Sequence, residues 1–284
     1  MAEPNATGSP ATPPPIWLWP NLLCLDAPIV AVVWLGAFAK AYGVAVGWPG
    51  YVVLFLAVWS LYLGDRLVDS LKLRAGDPSP GLKTSRHGFM ARHSRWFLII
   101  TILAVLVGGV LALTQLERPI LSAGVIVAVG AAAYFGAFVS PLGGKKPLPG
   151  KELAAGILIA AGITVPVFAD YSGTLPVEPA FALFAGLCSL NCLMIASKDG
   201  DLPGGSGFHG LLTGFGIAVV LTAAGLALIG VGTEPAPTLR TLYLGEAISG
   251  VALVVLQFAK QAASRDAFRV LADVALLAVL IPLP

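Results

Sequence analysis

Long apolar runs separated by short polar breaks make up most of the chain. Nine can be marked, at about 25–43, 50–72, 96–115, 119–140, 151–170, 178–198, 208–232, 241–260 and 265–283, each bounded by Gly, Pro or charge. Such runs match the roughly 20 residues that a helix needs to cross a bilayer. No period-two alternation competes with them, and a sheet with open edges is not viable in lipid. The pattern predicts an all-α fold, a polytopic transmembrane helix bundle of about nine spans. It forms one domain over residues 16–284, after a disordered Pro-rich tail over residues 1–15. Lys260, Gln261, Ser264, Arg265 and Asp266 separate the last two runs. Trp17 and Trp19 follow the tail, where interfacial aromatic anchors belong.

Composition sharpens this picture. Of the 284 residues, 57% are hydrophobic and only 11% are charged, and the mean hydropathy is +0.87. Disorder, a collagenous chain and a charge-rich coiled coil are excluded, and a soluble globule could not cover so much apolar surface. The net charge of +2 is too close to neutral to suggest a nucleic-acid partner. The three cysteines, Cys24, Cys188 and Cys192, form no disulfide framework and read as small apolar residues. No cleavable signal peptide is visible.

The cations are distributed unevenly. Lys40, Arg118 and Arg240 fall on one side of the expected topology, and the other Lys and Arg residues fall with the loops after even-numbered spans. By the positive-inside rule the N-terminus is then cytoplasmic and the C-terminus outside, in an integral membrane protein of a bacterial inner membrane.

Candidate chemistry lies in two polar segments that emerge on the same face, four spans apart. The first is WSLYLGDRLVDSLK, with Asp65, Arg66 and Asp69. A spacing of four puts both carboxylates on one helix face, with Tyr62 and Lys72 continuing it. Like charges there repel unless a cation joins them. Either the two hold a metal or substrate, or they form a solvated helix end paired to Arg66 or Lys72. The second segment is NCLMIASKDGDLPGG, with Asn191, Lys198, Asp199 and Asp201. Facing acidic pairs suit Mg²⁺, which binds through few carboxylates plus phosphate oxygens. A polar turn explains Asp-Gly-Asp equally well, and Asn191 also suits an interhelical hydrogen bond. Arg86, His87, Arg92, His93 and Arg95 form a basic run fit for a diphosphate or for anionic lipid heads. Lys145, Lys146 and Lys151 lie on the same face and also follow from topology alone. No phosphate-binding glycine loop or zinc spacing is present.

This layout resembles the UbiA superfamily of integral-membrane prenyltransferases. The likeness rests on GDRLVD at 64–69, on Tyr134 followed by SPLGGKKPLPGKELAAG at 140–156, and on NCLMIASKDGD at 191–201. Gly64 stands where the family has Asn, the Asp65–Asp69 gap is four rather than three, and the second motif is shortened to Asp199 and Asp201. The resemblance implies transfer of a prenyl group from an isoprenoid diphosphate to a lipophilic, aromatic or isoprenoid, acceptor. It implies Asp65, Asp69, Asp199 and Asp201 as catalytic residues and Mg²⁺ ligands. Asn191, Arg66, Lys72, Arg86, Arg92, Tyr134, Lys145, Lys146 and Lys198 would bind substrate, and Phe135 and Phe138 would line the isoprenoid chamber. A non-catalytic UbiA-like protein that binds a lipid or quinone is the alternative.

Overall fold

The computed structural model describes residues 14–74, 85–139, 150–169, 171–202, 206–229 and 237–281, and these are helical apart from their connections. The helices are α1 (Trp19–Leu22), α2 (Asp26–Tyr42), α3 (Trp48–Arg74), α4 (Ser85–Gln115), α5 (Arg118–Tyr134), α6 (Lys151–Phe168), α7 (Glu178–Asp199), α8 (Ser206–Ile229), α9 (Pro237–Phe258) and α10 (Arg265–Leu276). A 3₁₀ turn (Ile16–Leu18) precedes α1, a π turn (Phe135–Val139) extends α5, and a 3₁₀ turn (Leu277–Leu280) follows α10.

Neighbouring helices pair along the chain, α3 with α4, α6 with α7 and α8 with α9, while α2 joins α3, α6 and α9. More than half of α7 and of α9 is buried, against 6% of α5. The centre is therefore α2, α7, α9 and α10. The outer faces of α4 and α5 carry exposed Leu98, Ile102, Leu106, Val110, Ile126 and Val129, which suit a lipid solvent. Lipid gives helices no hydrophobic reason to associate, so close approach and polar contacts must hold them. Small residues mark those approaches. A Cβ on Gly156 of α6 would lie 2.4 Å from the Ser189 backbone nitrogen of α7. On the α8–α9 seam, Gly216 meets Val254 and Gly250 meets Val220. Trp34, Phe38, Tyr42, Phe168 and Phe184 interlock at the centre, and Trp34 Nε1 donates to the Leu276 carbonyl at 2.9 Å.

Among the described residues, seven helices, α3 to α9, are long and apolar enough to cross a membrane, and an eighth span arises if α1 and α2 are counted as one broken crossing. This is fewer than the nine expected, for two local reasons. The first run becomes α2, of only 17 residues, and the chain turns by 82° between α1 and α2, where Cys24 takes a left-handed φ of 56°. The backbone freed there is tied by Trp59 Nε1 donating to the Leu23 carbonyl at 3.0 Å, and Asn21 Nδ2 donates to Asp26 Oδ2 at 2.5 Å. At the other end, α10 has only 12 residues and begins with Arg265 and Asp266. Ser264 starts it by accepting from the Ala267 amide. One expected connection is also helical, since α4 begins at Ser85 and carries much of the basic run within it. Most of the expected tail over residues 1–15 lies outside the described residues, as do Lys145 and Lys146.

Candidate functional site

One end of α3 carries Tyr62, Asp65, Arg66 and Asp69. The α-helical spacing gathers them, and Arg66 lies between the two carboxylates, with Nη1 3.4 Å from Asp65 Oδ2 and 3.5 Å from Asp69 Oδ2. Its guanidinium also sits 6.0 Å from the centre of the Tyr62 ring. α7 ends at the same end of the bundle. Gly200, at φ 89°, terminates it and donates to the Ala196 carbonyl. That turn separates two aspartates of different character. Asp199 is buried and is held by Arg269 of α10, while its Oδ1 has no hydrogen-bond partner among the described residues. Asp201 opens to solvent on one side. Crowding by protein on the other raises its carboxyl above the usual range, the Asp199 charge adds to this, and Lys151 and Arg269 oppose it.

The two acidic pairs lie at one end of the bundle, with Asp69 near enough to Asp201 for its charge to be felt there. Tyr134 of α5 lies within reach of Asp65, Asp69 and Glu152. Lys151 and Glu152 enter from the start of α6, and both act on Cys192 of α7. Asn191 of α7 donates from Nδ2 to Asp273 Oδ1 of α10 at 3.2 Å. Beside these groups lies a cavity of about 30 Å³, bordered by Tyr62, Cys188, Asn191, Cys192 and Asp273 together with apolar residues of α2, α3, α6 and α10. Five helices thus contribute to a polar cap over a small, largely apolar cavity.

Two other expected substrate ligands are not part of this cap. Lys198 points across α10 to the α9–α10 turn, where its Nζ donates to the carbonyls of Lys260 and Ala263 at 2.5 and 2.6 Å. Its neighbour in sequence, Asp199, points the other way because successive helix residues are about 100° apart. Arg92 stands exposed on α4, with no contact to the carboxylates among the described residues. The side chains of Lys72 and Arg86, like Lys145 and Lys146, lie outside the described residues.

The sequence reading missed Arg269, Asp273 and Glu152 as members of the cluster. A signal for the first two was present: Asp266, Arg269 and Asp273 recur at helical spacing in the last apolar run, which marks an inward polar stripe. Among the described residues, no three His, Cys, Asp or Glu side chains come together as a ready-made metal set. No family model matches the chain, and no curated protein or solved structure matches it.

Proposed function

We propose that the chain is a membrane prenyltransferase of the UbiA type, moving a prenyl group from an isoprenoid diphosphate to a lipophilic acceptor at the cytoplasmic end of the helical bundle. One observation carries this reading. Acidic pairs more than a hundred residues apart in sequence, Asp65 with Asp69 and Asp199 with Asp201, converge at one end of the bundle, beside a cavity among the helices.

Mg²⁺ fits the donor chemistry of that end. All four candidate ligands are hard carboxylate oxygens, the buried Asp199 Oδ1 is unpartnered, and Asp65, Asp69, Glu152, Asp199, Asp201 and Asp273 outnumber Arg66, Lys151 and Arg269. Mg²⁺ does not require a preformed cage, since it commonly takes one or two carboxylates and completes its shell with phosphate and water. Asp65, Asp69, Asp199 and Asp201 would hold it, and its charge would stabilise the departing diphosphate. Arg66, Arg269 and Lys151 supply donors for diphosphate oxygens. Tyr62 and Tyr134 face the reacting end of the prenyl chain, and the apolar walls keep water from the electron-poor allylic carbon.

A second reading has an observation of its own. Arg66 is already shared by Asp65 and Asp69, and Arg269 holds Asp199, so a non-catalytic protein that binds a lipid or quinone would need no metal. Product formation from radiolabelled prenyl diphosphates of several lengths, in membranes with and without chelator, separates the two. Chelator-sensitive turnover that falls roughly a hundred-fold or more in Asp69→Asn supports transfer. Turnover indifferent to chelator and to Asp69→Asn refutes the metal-assisted route. No turnover with any donor supports the binding protein.

A further inference from the structure

Glu246 stands midway along α9, in a span of hydropathy 1.6, and none of its surface reaches solvent. Neither of its carboxylate oxygens has a hydrogen-bond partner among the described residues. One turn further along the same face, Ser249 is equally buried and its hydroxyl is also unpartnered. Two adjacent orphaned polar groups in the centre of an apolar bundle are costly, and an ionisable one at membrane depth is functional by default. Glu246 belongs to no part of the polar cap.

Its surroundings are specific. α9 packs against α2, α7, α8 and α10. From α2 the phenol of Tyr42 comes within electrostatic reach, and Tyr243 does so from α9 itself. From α7 the reach extends to the Cys188 thiol. Among the ionisable groups of the other two neighbours, Arg265 and Asp266 open α10 and the rest are engaged elsewhere. His209 of α8 meets Lys260 at 3.1 Å, and on α10 Arg269 holds Asp199 while Asp273 accepts from Asn191. Among the described residues, no charged side chain comes near enough to Glu246 to offset its burial. A carboxylate charge there would be dehydrated with neither cation nor donor to offset the loss. Cys188 also borders the cavity of about 30 Å³, which is large enough for one water, and Asn191 and Asp273 lie on the same cavity.

We propose that Glu246 is a buried proton-holding site in the membrane core, a neutral carboxylic acid that exchanges its proton with the medium. The site operates whatever the polar cap binds, so it does not rest on the reading above.

The full chain in lipid vesicles is treated with dicyclohexylcarbodiimide or with a water-soluble carbodiimide, and the modified peptide is located by mass spectrometry. Only the neutral acid reacts: its oxygen bonds to the central carbon of the reagent and its proton passes to a reagent nitrogen, with no other reactant. The expected result is Glu246 modified by the lipophilic reagent and spared by the soluble one. Infrared spectra of the same vesicles should contain the carbonyl band of a protonated carboxylic acid, lost in Glu246→Gln and displaced when the medium is changed to D2O. Glu246 left unmodified by the lipophilic reagent, or a band that ignores D2O, would overturn the proposal. Should Glu246→Gln fail to fold, labelling of the parent chain still decides.

Discussion

Arg269 is the most deeply buried cation among the described residues. It is 1% exposed and holds a carboxylate that is itself buried. Removing one partner of such a pair leaves an uncompensated buried charge, at a cost of about 3–5 kcal/mol. Arg269→Met should lower the melting temperature in detergent sharply, and Arg269→Met with Asp199→Asn should recover much of the loss. Equal losses in the single and double variants would mean that the pair is not what Arg269 supports. Asp201 behaves in the opposite way. Its carboxyl is raised in the folded chain, so its ionisation opposes folding. That cost is absent below the ordinary carboxylate value and complete above the raised one. Asp201→Asn should therefore stabilise the chain slightly at neutral pH, by no more than about 0.5 kcal/mol for a residue open to solvent. Melting curves of parent and variant should converge as the pH falls through the carboxylate range; a gap that widens in acid contradicts the assignment.

Among the elements, the α6–α7 contact positions the site most directly, because Lys151 and Glu152 lie one to two turns from Gly156. The clearance at Gly156 is set by the Ser189 backbone as well as by its Oγ, so no rotamer change alone can relieve an added methyl. Gly156→Ala should cost about 1–3 kcal/mol through forced separation of the helices. It should also weaken any activity of the polar cap. A variant as stable and active as the parent would show that α6 and α7 separate freely. The short first run and the shortened last one were hard to read for a related reason. Composition averages over a run, whereas a single left-handed residue, Cys24, turns the chain just before the first and leaves α2 with 17 residues. In the last, four charged residues on one face, Arg265, Asp266, Arg269 and Asp273, turn an apparent span into a short helix packed along α7 and α9.

For the whole molecule, the testable quantity is the number of crossings. Three of the seven long apolar helices, α4, α5 and α6, lie between Gly81 and Gly173. Reporters fused at these two positions should therefore report opposite sides of the membrane. Reporters on one side would require that one of the three does not cross. Much of this architecture is legible along the chain, because in lipid each span must satisfy its own backbone hydrogen bonds and show its apolar surface locally. Length, hydropathy and the Gly and Pro punctuation were sufficient to identify the helices from α2 to α10. The residues Asp65, Asp69, Asp199 and Asp201 also stood out, since charge is conspicuous against an apolar background. Which groups they meet is not a local property. Sequence alone could not pair Asp199 with Arg269 or Asn191 with Asp273, nor turn Lys198 away from its neighbour towards the α9–α10 turn. Those contacts depend on the rotation and depth at which α7 and α10 pack, which many weak van der Waals contacts decide together. Glu246 is the clearest case. In sequence it is one acidic residue in an apolar run, and only the closing of α2, α7, α8 and α10 around α9 leaves it dry and without a hydrogen-bond partner among the described residues.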